Sequence, residues 1–199
     1  MKGVLETRYG GLRYRSRTEA RWAVFFDMVG IRHHYEPEGF ELRVGYYRPD
    51  FWLTDLRMFF EVKGTEPTRE EIAKCADLTH VTEADILLSS GPPEERFSLR
   101  WFDRGGQREG LYVFALDKNP GAGFWLVGDT DEDNGRMHVG PANDNVAARG
   151  PMFSGPIEAA YNEARNCRFQ GEEQRRPFQR LDGAFGSPAN DQVGFRWSA

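Results

Sequence analysis

The stretch that most constrains the fold is residues 47–63, YRPDFWLTDLRMFFEVK, in which the charged residues Asp50, Glu61 and Lys63 stand in strongly apolar surroundings. Its aromatic and apolar residues predict two strands, over residues 49–53 and 57–63, joined by a short turn. A turn centred between positions 55 and 56 places Asp50 directly opposite Glu61. Lys63 then lies on the same face, because side chains alternate along a strand. The sequence therefore predicts a hairpin with all three charges on one face.

Two opposed carboxylates destabilise a sheet unless a positive charge lies between them. Lys63 supplies part of that charge, and a divalent cation would supply more, because carboxylate and water oxygens suit Mg²⁺ or Mn²⁺. The alternative is a surface hairpin with an ordinary salt bridge, which would contribute little to stability. The apolar neighbours favour a covered cleft, so the pattern favours a metal or catalytic site at Asp50 and Glu61.

Helical signals lie on both sides of this hairpin. Residues 16–29 carry an apolar stripe at helical spacing and stop at a glycine, and residues 68–78 open with a T-x-x-E capping box. Residues 34–45 indicate an extended segment with a bend, and residues 84–88, ADILL, are typical of a buried strand. The order helix, strand, strand, strand, helix, strand ends in a parallel crossover and predicts an α/β domain with a mixed sheet over residues 1–92.

Glu19 stands at the start of the first predicted helix and has two competing roles. With Ser16 it forms an S-x-x-E capping box, in which its carboxylate would cap its own helix. It also precedes Trp22 by three residues and Phe26 by seven, which places it on the inward stripe. From spacing alone, helix capping and service as a third acidic ligand stay equally open.

Charge and composition exclude several classes of protein. The net charge of −5 argues against non-specific polyanion binding, although a local basic patch would still permit it. Two distant cysteines, with no CxxC pair and no zinc spacing among four histidines, predict a reduced protein without structural zinc. The absence of long apolar runs predicts no membrane segment, and we expect a cytoplasmic protein.

The remainder of the chain carries weaker signals. Residues 93–128 contain runs that predict additional strands packing on the core. Residues 129–155 are rich in Gly, Asp and Asn and predict a loop or linker. Residues 156–170 predict a helix, and residues 171–199 a flexible, mostly polar tail. We therefore expect a C-terminal extension attached to one compact core.

The segments RTEARWAVFF, RPDFWL and FFEVKG together resemble the motifs of the PD-(D/E)XK nuclease superfamily. Pro49 and Asp50 match the PD, and Glu61-Val62-Lys63 match the ExK. The predicted order of elements is similar to the restriction-endonuclease-like α-β-β-β-α-β core of that superfamily. The resemblance covers residues 8–90 and is greatest to small endonucleases of phages and mobile elements, including transposon-end and DNA structure-selective types.

The resemblance implies a divalent-metal-dependent endonuclease that hydrolyses DNA phosphodiester bonds. Carried over by position, Asp50 and Glu61 would bind Mg²⁺ or Mn²⁺, and the backbone carbonyl of Val62 would be a further ligand. Lys63 would be the catalytic lysine, which orients the attacking water or stabilises developing charge. Glu19 would be catalytic in support of the acidic cluster and a further candidate ligand.

An arginine-rich segment near the N-terminus is the candidate for nucleic-acid binding, with tyrosines between its basic residues. A solvated arm whose arginines pair with acids is the alternative. The expected partner is DNA, with RNA an open alternative, and a homodimer or larger nucleoprotein complex is compatible with the resemblance. The rival function is a non-catalytic nucleic-acid-binding or assembly module on the same fold. The candidate DNA-contacting residues are Arg13, Arg15, Arg17 and Arg21.

Overall fold

The structure, a computed structural model, is a mixed α/β fold built around one large mixed sheet. No helix within the described part of the chain combines the length and apolar character needed to cross a membrane. The described residues are 6–94, 97–103, 105–117, 124–128, 136–139, 151–152 and 156–169.

Three helices lie within these residues, and they are α1 (Arg17–Val29), α2 (Arg69–Thr82) and α3 (Pro156–Asn166). The strands of the described ranges are β1 (Thr7–Tyr9), β2 (Leu12–Tyr14), β3 (His33–Tyr35), β4 (Phe40–Leu42), β5 (Gly45–Tyr47), β6 (Phe51–Leu53), β7 (Met58–Lys63), β8 (Ile86–Ser90), β9 (Phe97–Asp103), β10 (Gly106–Asp117), β11 (Phe124–Gly128), β12 (Arg136–Val139) and β13 (Pro151–Met152).

The main sheet has the strand order β12-β11-β10-β9-β8-β7-β6-β3, and β13 pairs with β10. Strands β7 and β8 are parallel and are joined through α2, whereas their neighbours pair antiparallel. The predicted strand-helix-strand crossover is thereby confirmed, since a parallel pair requires such a connection. Strands β9, β10 and β11 extend the sheet within the region where further strands were predicted.

Helix α1 begins and ends where local chemistry dictates. The Ser16 side chain accepts a hydrogen bond from the backbone N–H of Glu19 at 3.1 Å, which satisfies a donor of the first turn. Gly30 follows the last turn with φ of 80°, a left-handed conformation that glycine adopts without steric cost. The predicted bounds of this helix therefore agree with the structure to one residue at the start.

The sheet separates two hydrophobic clusters, because side chains alternate between its faces. Helices α1 and α3 cover one face, where Phe51 and Phe60 contact the buried Trp22 cluster. Helix α2 covers the other face, where Trp52 and Phe59 pack. Alternation then places the side chains at positions 50 and 61 on the face of α2, among apolar neighbours.

Three regions differ from the sequence prediction. The extended segment at 34–45 is divided, because β4 pairs with β5 as a separate hairpin whose turn ends at Gly45 with φ of 103°. The region 129–155, predicted as a loop or linker, contains β12 and β13, which pair with β11 and β10 of the main sheet. Helix α2 continues four residues past its predicted end, to Thr82. The predicted tail at 171–199 lies outside the described residues.

Trp22→Ala should lower the free energy of unfolding by about 3–5 kcal/mol, because a fully buried indole leaves a cavity between α1 and the sheet. The indole N–H also donates to the Gly91 carbonyl at 3.0 Å, so Trp22→Phe should cost less but remain measurable. Denaturant unfolding followed by far-ultraviolet circular dichroism measures both. Leu12→Ala, at a half-exposed position, is the control and should change stability by less than about 0.5 kcal/mol. A similarly small change for Trp22→Ala would contradict the packing described.

Candidate functional site

The hairpin of β6 and β7 has the register that the sequence predicts. Phe51 pairs with Phe60 and Leu53 with Met58, which places Asp50 opposite Glu61. The backbone N–H of Asp50 donates to Oε2 of Glu61 at 3.0 Å, and the backbone N–H of Val62 donates to Oδ2 of Asp50 at 2.8 Å. Each carboxylate is therefore held by the backbone of the opposite strand, and both are 2% exposed.

Lys63, at the end of β7, pairs with Glu61 of the acidic pair. Its Nζ lies 2.8 Å from Oε1 of Glu61 and 3.2 Å from Oε1 of Glu71, and its side chain is 23% exposed. Burial alone would lower the pKa of Lys63, but the carboxylates of Glu61, Asp50 and Glu71 outweigh it and raise that pKa. Lys63 is therefore a positively charged ammonium at neutral pH, suited to neutralise an anion rather than to accept a proton.

Arg15, one residue after β2, is the second cation of the site. Its Nη2 donates to Oδ1 of Asp50, and its Nε lies 2.8 Å from Oε1 of Glu36. The same Nε is 4.0 Å from Oε2 of Glu19. One guanidinium thus contacts three carboxylates from three different segments of the chain, while its own side chain remains 55% exposed.

The Glu19 carboxylate does not cap its own helix. Ser16 caps the first turn of α1, but the Glu19 carboxylate accepts a hydrogen bond from the Tyr35 hydroxyl at 2.5 Å. Tyr35 in turn accepts the backbone N–H of Arg15 at 2.9 Å. Of the two roles left open by the sequence, the structure places the buried Glu19 side chain with the acidic cluster.

The electrostatic environment of the acidic pair favours an added cation. Burial raises the pKa of Asp50 well above its usual range, and the negative charges of Glu61 and Glu19 raise it further. The Val62 N–H and Arg15 oppose this shift without cancelling it. Burial and Glu61 likewise raise the pKa of Tyr47. Additional positive charge would stabilise the ionised form of Asp50.

These groups line one open cleft of about 570 Å³. Its wall includes four carboxylates and three cationic side chains, so the charges are nearly balanced. Strand β5 and the residue after it form one side, with Tyr46 57% exposed at the mouth. The lining residues are Arg15, Glu19, Glu36, Tyr46, Tyr47, Arg48, Asp50, Glu61, Val62 and Lys63.

Of the four arginines predicted to contact nucleic acid, Arg15 is the one placed in the cleft. Arg13, on β2, is exposed and paired with Glu6, one residue before β1, and Arg17 is exposed at the start of α1. Arg21 is half-buried, and burial and the charge of Arg17 lower the pKa of its guanidinium. The three remain predictions as DNA contacts, and they do not line the cleft.

Two further acids of the site were not among the predicted site residues. Glu36 lies in the segment that was predicted to be extended with a bend, and its backbone N–H donates to the Asp50 carbonyl at 2.7 Å, with φ of 45°, which fixes it beside Arg15. Glu71 was recognised as part of a capping box with Thr68, which the structure confirms. Its contact with Lys63 had no signal in the sequence, because it depends on how α2 packs on the sheet.

This chain matches no model of a known protein family, no curated protein and no solved structure. Within the described ranges, no three histidine, cysteine or carboxylate side chains are gathered closely enough to form a ready metal site.

Proposed function

We propose that this chain is a divalent-metal-dependent endonuclease that hydrolyses DNA phosphodiester bonds, on a restriction-endonuclease-like core of the PD-(D/E)XK type. The series α1, β3, β6, β7, α2 and β8 supports this core, with the β4–β5 hairpin as an insertion. The proposal includes a phage or mobile-element origin, which the resemblance implies, and action in the cytoplasm, which the composition predicts.

One observation carries the proposal, namely that two buried carboxylates and a charged lysine converge in one open cleft. Asp50 and Glu61 face each other across the hairpin, and Lys63 lies 2.8 Å from Glu61. A structural hairpin has no need to hide two like charges, since apolar residues of similar volume would cost less free energy. Burial of such groups beside a cleft is typical of catalytic sites, where pKa values are shifted for chemistry.

The residues of the cleft fit a hard divalent cation. Asp50 and Glu61 offer carboxylate oxygens, which are the ligands that Mg²⁺ and Mn²⁺ prefer, and the Val62 carbonyl and water would complete the set. Burial raises the pKa of Asp50, the charges of Glu61 and Glu19 raise it further, and a bound cation would favour the ionised carboxylate. When bound, such an ion neutralises charge on a phosphate and makes a water acidic enough to act as a nucleophile.

Lys63 has a distinct task in this proposal. Its ammonium is held by Glu61 and Glu71 at one wall of the cleft, and it keeps its charge at neutral pH. A fixed cation beside the reacting phosphate stabilises the charge that develops in the transition state. The position of Asp50 relative to Lys63 is fixed by Val62, whose backbone N–H holds the Asp50 carboxylate in place.

A cleavage panel tests the proposal. Full-length protein with Mg²⁺ or Mn²⁺ is incubated with labelled linear, flap, junction and single-stranded DNAs and with RNA, beside the Asp50→Asn protein. We expect metal-dependent cuts in at least one DNA by the wild-type chain alone. Absence of cutting, together with no metal binding by calorimetry, would favour the rival assembly or nucleic-acid-binding module.

Glu19→Gln should reduce metal-dependent cleavage by about 10–100-fold without unfolding the protein, the usual cost of losing a group that orients a metal ligand. The carboxamide can still accept the Tyr35 hydrogen bond, but the negative charge near Arg15 and Asp50 is gone. Initial rates at several Mn²⁺ concentrations measure the effect. Glu158→Gln, exposed on α3, is the control. Equal cleavage rates for both variants would show that Glu19 has no part in the reaction.

A further inference from the structure

We propose that Arg15 is an internal counter-ion that occupies the cation position at Asp50, and that it must leave Asp50 before a divalent ion binds there. This inference rests on the proposed function and adds a regulatory element to it, because the arginine then sets the metal concentration at which the site becomes loaded.

The contacts of Arg15 place its positive charge at the acidic cluster. Its Nη2 donates to Oδ1 of Asp50, while its Nε contacts Oε1 of Glu36 at 2.8 Å and lies 4.0 Å from Oε2 of Glu19. The other oxygen of Asp50 already accepts the N–H of Val62. Oδ1 is therefore the oxygen with a direction open toward the cleft, and a guanidinium covers it.

Arg15 has a less enclosed side chain than Lys63. Its side chain is 55% exposed, whereas that of Lys63 is 23% exposed and bridges Glu61 and Glu71. If the guanidinium leaves Asp50, it can keep its ion pair with Glu36, and the divalent ion replaces it as the counter-charge of the buried Asp50 carboxylate. The backbone N–H of Arg15 stays anchored by the Tyr35 hydroxyl, which keeps the side chain beside the cleft.

A divalent ion and the guanidinium compete because both are cations that need the same carboxylate oxygen. A positive charge already present repels a second one and screens the attraction of Asp50 for it. Removal of Arg15 leaves the four carboxylates of the cleft wall with two cationic side chains, Arg48 and Lys63. The cluster should then bind a small hard cation more tightly.

The test is calorimetric titration of Mn²⁺ into full-length wild-type protein, Arg15→Ala and Arg15→Gln, without DNA. We expect both variants to bind Mn²⁺ at least about tenfold more tightly than wild type, a difference of about 1.4 kcal/mol. Arg13→Ala is the matched control, because Arg13 lies on β2 of the same segment and pairs with Glu6 outside the cleft. It should bind Mn²⁺ as wild type does. Asp50→Asn should weaken binding in every background.

Other outcomes overturn the inference. Unchanged or weaker Mn²⁺ affinity in both Arg15 variants would make the arginine a purely structural ion pair, while wild-type binding would leave the proposed function standing. If none of the proteins binds Mn²⁺, both this inference and the proposed function are wrong. If the variants fold poorly, the Arg15 Nε–Hε resonance of the wild-type protein can be followed by NMR during titration with Mg²⁺. It should shift as the ion binds, and a fixed resonance during metal binding would contradict displacement.

Discussion

Asp50→Asn should lower metal-dependent DNA cleavage by about a thousandfold or more. The substitution keeps the shape of the side chain, and its carbonyl oxygen can still accept the hydrogen bond from the Val62 N–H. It removes the negative charge that a divalent ion needs, and a metal-bound site contributes several kcal/mol of transition-state stabilisation, where each 1.4 kcal/mol is about tenfold in rate. Single-turnover cleavage of the best DNA from the panel, with saturating Mg²⁺, measures the loss.

Asp55→Asn is the matched control for this experiment. Asp55 lies in the turn of the same hairpin and is also paired with an arginine, Arg32, but it does not line the cleft. Its replacement should affect stability more than the rate per folded molecule. If both aspartates lowered cleavage equally, the effect would lie in the hairpin fold rather than in a metal ligand, and the proposed role of Asp50 would be wrong.

Lys63→Met should lower metal-dependent DNA cleavage as much as Asp50→Asn does. Metal binding should stay as in the wild type or become tighter. The thioether side chain fills much of the same space, but it removes the cation within 2.8 Å of Glu61. Because Lys63 keeps its proton at neutral pH, its loss removes positive charge from the reacting phosphate rather than a proton acceptor. Cleavage kinetics and Mn²⁺ calorimetry on the same preparation separate these two effects.

Lys74→Met supplies the comparison, since Lys74 lies on α2 and pairs with Glu70 one turn earlier. Its rate should match that of the wild type. Lys63→Arg should recover part of the activity if positive charge alone matters, but less than wild type, because a planar guanidinium cannot occupy the same point between Glu61 and Glu71. Full activity in Lys63→Met would show that the lysine has no role in chemistry.

The local parts of the site followed from the sequence. Turn length and the alternation of side chains determine which residues face each other across a short hairpin, so the pairing of Asp50 with Glu61 could be predicted. The N-caps of α1 and α2 depend on four-residue motifs, and their positions could be predicted for the same reason. In each of these cases, the groups that interact are near one another in the chain.

Contacts between distant segments could not be predicted in this way. Arg15 and Asp50 are 35 residues apart, and the bond between them depends on how β2 and α1 dock beside β6. Glu36 reaches the cluster because the chain bends after β3, and Glu71 because α2 covers the sheet near the end of β7. The division of residues 34–45 into a separate hairpin also depends on pairing partners that local propensity does not specify.

The sequence by itself thus determined the acidic pair, its lysine and the hairpin that presents them, because the two strands are joined by a short turn and their pairing follows from it. Tertiary structure decided which charges neutralise the pair. Placing Arg15 between Asp50, Glu36 and Glu19 requires four segments to be packed together, and the free energy of that arrangement comes from burial and long-range charge interactions rather than from local preference.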